Sequence, residues 1–150
     1  MSYFNELYQE VILDHNKRPR NFGELSEANS QAHGNNPLCG DRLTVYVRLD
    51  GNTIAEVRFK GAGCAISTAS ASLMTEALKG KTVEEVEQLF QKFHAMVTGK
   101  EMSEQSAADL GKLTVFRGVS EYPIRVKCTT LAWHTMLAAI HRSDETVSTE

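Results

Sequence analysis

The sequence predicts an α+β domain, a small antiparallel sheet of about three strands with helices packed on it. Residues 43–49 and 55–59 alternate apolar and polar side chains on either side of a turn, and from Ala65 onward apolar residues recur every three or four positions. With 150 residues, 41% hydrophobic and 23% charged, the chain is large enough to bury roughly 70% of its unfolded surface in one core. Residues 1–150 are therefore expected to form a single domain, with an unstructured tail from about Ser143.

Phe4, Leu7, Tyr8, Val11 and Ile12 give a first helix over Tyr3 to His15 one buried face, with Ser2 as its cap. Asn16 to Pro37 is polar and broken by Pro19 and Pro37, so loop is expected there, with an edge strand near Gln31 to Gly34. Leu43, Val45, Val47 and Leu49, then Ala55, Val57 and Phe59, define two half-buried strands. Asp50, Gly51 and Asn52 join them as a hairpin. The next helix carries Ile66, Ala69, Ser70, Leu73 and Ala77 on one face and stops near Gly80. Thr82 and Glu85 form a capping box ahead of a stripe of Val83, Val86, Leu89, Phe90 and Phe93. Ser103 caps a short helix reaching Leu110. A last long helix begins near Ser120 to Pro123 and carries Ile124, Cys128, Leu131, Trp133, Thr135, Leu137 and Ile140 on a wide apolar face.

Composition excludes several functional classes. The net charge is −3 and the basic residues are scattered, which argues against a nucleic-acid binder. The one basic run, Lys17, Arg18 and Arg20, follows a helix end, where cations offset the helix dipole. No apolar run approaches the ~18 residues of a membrane span, and Glu6, Glu10 and Asp14 stand where a signal peptide would be apolar. A cytoplasmic protein is expected, with no membrane partner. Three cysteines, an odd number spaced far apart, fit reduced thiols better than a disulfide framework.

Folding the hairpin about Gly51 places Asp41 opposite Gly61 and Cys39 opposite Gly63, so Cys64 lies beside Cys39. Gly40 permits a bend between Cys39 and Asp41, and Gly61 and Gly63 permit close backbone approach. Cys64 opens a helix, where free N–H groups favour thiolate over thiol. Cys128 lies in the second turn of the last helix, and sequence geometry alone does not bring it to the other two; a cysteine on an apolar helix face is usually a small buried hydrophobe. If it joins them, three thiolates and one carboxylate suit tetrahedral zinc. His15, His33, His94, His134 and His141 are alternative ligands, each better read as a surface or structural histidine.

The segments His15 to Gly23 (HNKRPRNFG), Asn36 to Asp41 (NPLCGD), Gly61 to Ser72 (GAGCAISTASAS) and Val126 to Trp133 (VKCTTLAW) resemble the U-type iron-sulfur cluster assembly proteins, the IscU-like or NifU N-terminal-like family. The resemblance covers nearly the whole chain and implies a SufE/NifU-like fold. It also implies a metal or cluster site at Cys39, Asp41, Cys64 and Cys128. Lys127 stands where scaffold members carry His, and scaffold members lack most of the segment between Gly80 and Gly118; both features resemble the SufU branch. That branch implies a zinc-dependent sulfurtransferase that takes persulfide sulfur from a pyridoxal-phosphate cysteine desulfurase of SufS type and passes it towards a downstream Suf cluster scaffold. By the same resemblance Cys39 is the sulfur acceptor and catalytic residue, and Arg125 engages the desulfurase. The alternative is a scaffold that builds a [2Fe-2S] cluster on the same four ligands. No His-Glu-x-x-His motif supports a zinc hydrolase.

Overall fold

The computed structural model describes the backbone of residues 2–37, 40–141 and 147–148, and the side chains of residues 9–37 and 40–141. Helix α1 (Ser2–Lys17) buries Ile12 and His15. The expected cap at Ser2 and the side chains of Phe4, Leu7 and Tyr8 lie outside the described residues. Strands β1 (Ser30–Asn36), β2 (Asp41–Asp50) and β3 (Thr53–Ala62) form an antiparallel sheet in the order β3-β2-β1. From the expected tail, β4 (Val147–Ser148) adds a two-residue parallel edge beside Gly34 and Asn35.

The hairpin register differs from reflection through Gly51. Its closing pair is Asp50 with Thr53, and an irregularity between Arg48 and Leu49 moves the pairing from Leu49 with Ile54 to Arg48 with Glu56. The tight turn contributes one residue of slide and the bulge another, so Leu43, rather than Asp41, faces Gly61. Because side chains alternate with a period of two, a two-residue slide leaves Leu43, Val45, Val47, Val57 and Phe59 on their predicted face, but at the irregularity Ala55 is left unpaired and only partly buried while Ile54 takes the buried position in its place. Leu43, Val45, Val47, Val57 and Phe59 are buried, while Arg42, Arg48, Arg58 and Lys60 lie on the opposite, polar face.

Helices α2 (Ala65–Leu78) and α5 (Pro123–Ile140) pack together and against the sheet, buried on most sides. Small residues of α2, including Ala69, Ser70, Ala71 and Ser72, allow this contact, and Ser70 Oγ donates to the Thr129 carbonyl at 2.5 Å. The first turn of α5 departs from expectation. Ile124 is 59% exposed beside the half-exposed Tyr122, because this turn projects beyond the core that begins at Cys128.

Helix α3 (Val83–Val97) starts at the capping box of Thr82 and Glu85, and α4 (Glu104–Leu110) is capped by Ser103. A 3-10 stretch over Gly111–Glu121, absent from the sequence expectation, then leads into α5. This segment closes the core. Phe93 stacks on Trp133 with ring centroids 4.5 Å apart and meets Phe116 edge-on at 6.0 Å.

The HNKRPRNFG motif ties α1 to α2 and β3. His15 Nδ1 lies 2.7 Å from Ser72 Oγ, which also accepts from the Arg20 backbone N–H at 2.8 Å. Asn21 Nδ2 donates to Thr75 Oγ1, and Phe22 packs edge-on against Phe59. Arg20 pairs with Asp14 at 2.6 Å, so the basic run is partly neutralised within its own loop.

Candidate metal centre

Three elements deliver reactive side chains to one end of the sheet. Asp41 opens β2, Cys64 is the N-cap of α2, and Cys128 lies in the second turn of α5. One ligand atom from each can be chosen so that all three lie within 4.8 Å of one another. The expected fourth member, Cys39, lies outside the described residues; Gly40, which follows it in the chain, holds a φ of +72° suited to a bend.

Asp41 is almost completely buried, and its two oxygens divide their roles. Oδ1 accepts the Cys64 backbone N–H at 2.8 Å, while Oδ2 lies 3.8 Å from Cys64 Sγ. A Cβ built on Gly63 would stand 2.7 Å from Asp41 Oδ1, so only glycine lets the two strand ends close this far. Cys64 Sγ in turn accepts the Ser67 backbone N–H at 3.4 Å, as an N-cap oxygen would. A hydrogen bond from Cys128 is the largest influence on the Cys64 thiol. Together with the N–H groups of Ser67 and Ile66 it outweighs burial and the nearby Asp41 charge and brings the thiol down to about 7.

Cys128 is buried and faces Asn36, whose Nδ2 lies 3.7 Å from its sulfur. Asn36 is a residue that pattern reasoning did not single out, because an Asn pair before Pro37 reads as turn chemistry. An open trough of about 840 Å³ runs past Asn36, Pro37, Gly40 and Asp41 towards Lys60. Arg125 lies exposed one turn before Cys128, its guanidinium 4.5 Å from the centre of the Tyr122 ring.

None of the five histidines enters this cluster. His15 is bonded to Ser72, His33 to Thr44 and His141 to Glu87, while His94 and His134 flank Phe90. The donor set therefore consists of sulfur and carboxylate. At a zinc–sulfur distance of about 2.3 Å, tetrahedral coordination needs sulfurs about 3.8 Å apart, which the observed spacing accommodates.

Residues 7–129 match the family described as NifU-like N terminal domain. The chain belongs to that family. Within it, the chain is 41% identical over 138 residues to the zinc-dependent sulfurtransferase SufU of Bacillus subtilis, covering 92% of each protein. It is 43% identical over 143 residues to the iron-sulfur cluster assembly scaffold protein IscU of Streptococcus pyogenes, covering 95% of this chain and 88% of that one. A crystal structure from Fervidobacterium islandicum, described as an iron-sulfur cluster assembly scaffold protein for the SUF system, superposes with a TM-score of 0.83 at 38% identity. It covers 90% of this chain and 97% of that one. The NifU-like architecture thus accounts for the sheet and its covering helices. Among the described residues no helix is long and apolar enough to cross a membrane.

Proposed function

We propose that this protein serves iron-sulfur cluster assembly as a zinc-dependent sulfurtransferase, with Cys39, Asp41, Cys64 and Cys128 as metal ligands and Cys39 as the sulfur acceptor. The observation that carries the proposal is the convergence of Asp41, Cys64 and Cys128, from three elements, within 4.8 Å. The SufU name of the Bacillus subtilis relative supports the zinc and transfer parts of the reading.

Zinc, when bound, supplies a redox-inert Lewis acid that keeps thiols deprotonated and tolerates exchange of one ligand. Asp41, Cys64 and Cys128 hang on the strand and helix framework and form the fixed part of the site. Cys39 falls in the sequence between Pro37 and Gly40, two residues that line the open trough, and is the ligand assigned to exchange. A cysteine desulfurase of SufS type would dock on this face, and a donor side chain from it, a histidine, would take over the role of Cys39 in holding the metal. The freed Cys39 thiolate attacks the terminal sulfur of the desulfurase persulfide. One sulfur–sulfur bond forms, the desulfurase's own breaks, and the desulfurase cysteine leaves as thiolate, so no external oxidant or reductant is needed. Arg125, exposed one turn from Cys128, engages the desulfurase, and the carried sulfur passes to a cytoplasmic Suf cluster scaffold.

Desulfurase turnover with cysteine as substrate tests this. The wild-type chain should stimulate it, and Cys39→Ala should abolish the stimulation while retaining the fold; stimulation that survives would show that another residue accepts the sulfur. The IscU name of the Streptococcus pyogenes relative favours a second function, a scaffold for a [2Fe-2S] cluster on the same ligands. Anaerobic reconstitution separates the two: retained zinc with poor cluster uptake belongs to the transferase, and stoichiometric cluster uptake with loss of zinc to the scaffold.

A further inference from the structure

Asn36, the last residue of β1, has no measurable exposure, and its carboxamide oxygen Oδ1 has no hydrogen-bond partner among the described residues. Its other end, Nδ2, meets Cys128 Sγ at 3.7 Å. A thiolate can only accept, so the N–H end of the amide must face the sulfur. Leaving an amide oxygen buried and unpaired is unfavourable, and an apolar side chain of similar volume would avoid that cost. The structure therefore keeps an amide where packing alone would favour a hydrocarbon.

The sequence places it there through Gly34. A Cβ on Gly34 would stand within clashing distance of Thr135 Oγ1 and 3.1 Å from Leu131 Cδ1, so β1 lies pressed on α5. Two residues further along β1 is about 6.7 Å, and stepping back from the Leu131–Thr135 level to Cys128 along α5 is about 4.5 to 10.5 Å. Strand and helix run past each other in opposite senses, and Asn36 arrives at the height of Cys128.

We propose that Asn36 is a positioning residue of the metal centre, its Nδ2–H donating to the Cys128 sulfur so that this thiolate stays a ligand and not a nucleophile. The inference rests on the metal reading of the site given above. An N–H donor draws electron density from a metal-bound sulfur and fixes its direction, as outer hydrogen bonds do at metal sites generally. Cys64 has its own such donor in the Ser67 N–H. With both framework sulfurs restrained in this way, group transfer falls to Cys39.

The test is zinc affinity, measured by competition with a chromophoric chelator on wild type, Asn36→Ala and Asn36→Leu, together with absorption spectra of the cobalt(II)-substituted proteins. The Leu variant, which fills the space without the unmet oxygen, should keep the denaturation midpoint of the metal-free protein. Both variants should bind zinc about 10-fold or more weakly, and their sulfur-to-cobalt charge-transfer band should move to lower energy. Wild-type protein loaded with cadmium-113 supplies a readout that needs no variant: an Asn36 side-chain amide proton should show scalar coupling to the metal through Cys128. Zinc affinity and charge-transfer energy unchanged in folded variants, or no coupling in the cadmium form, would overturn the inference while leaving the metal reading intact. A wild-type chain that takes up no zinc, cobalt or cadmium would overturn both.

Discussion

Asp41 shows how a single side chain serves fold and chemistry together. Its Oδ1 holds the backbone of Cys64 and its Oδ2 faces the sulfur of the same residue, so the carboxylate fixes where α2 begins and what its first sulfur meets. Gly63 is the residue that permits this, since a methyl group there would intrude on Oδ1 at 2.7 Å. Gly63→Ala should therefore displace the carboxylate, weaken zinc binding about 10-fold in chelator competition, and cost about 1–3 kcal/mol in urea denaturation from overpacking. His15 makes a prediction about pH. Ser72 Oγ accepts from the Arg20 N–H and lies 2.7 Å from His15 Nδ1, while His15 Nε2 stands 3.7 Å from Glu76. Burial, followed by the Arg20 charge, holds His15 below the usual histidine range despite Glu76 and Asp14. The folded state thus keeps this ring neutral while the unfolded chain takes up a proton near pH 6.5. The sign follows from linkage: the contribution is level above about pH 6.5 and stability falls as the pH drops below it. His134, lowered by burial and by His94, adds a slope of the same sign. Denaturation midpoints measured between pH 8 and 5 should decline on the acid side for wild type and less steeply for His15→Asn.

Among the elements, the segment between Gly80 and Gly118 carries the clearest energetic prediction. Phe93 is fully buried between Trp133 and Phe116, so α3 closes the core over α5. Phe93→Ala should lower stability by about 3–5 kcal/mol in chemical denaturation, whereas a segment serving only to dock a partner would tolerate the change. These elements were legible to different degrees for physical reasons. The β2–β3 hairpin and the capping box of α3 were readable because alternation and cap chemistry are local. The register was readable only to within two residues, since the irregularity at Ala55 puts Ile54 and Val57 on one face at a spacing of three, which strict alternation does not anticipate. The 3-10 stretch at Gly111–Glu121 was not readable, because its Leu113, Phe116 and Val119 recur at a three-residue spacing that an α-helix shares in part. Ile124 was misplaced for a related reason: periodicity tells which side of a helix is apolar, but not where along its length the core begins.

At the scale of the whole molecule, the cluster draws on the first residue of β2, the cap of α2 and the second turn of α5. Asp41 and Cys64 could be related from the sequence because a hairpin joins them. Cys128 could not, since its approach depends on α5 lying back across β1, a contact between residues about a hundred positions apart. A metal bound to all four groups would crosslink these elements in the folded state only, so chelation should lower the thermal midpoint. The most direct measurement is zinc K-edge X-ray absorption on the purified, zinc-loaded protein. One zinc with three sulfur neighbours at about 2.3 Å and one oxygen at about 2.0–2.2 Å is the predicted shell. A shell dominated by nitrogen, or one with no more than a single sulfur, would contradict it.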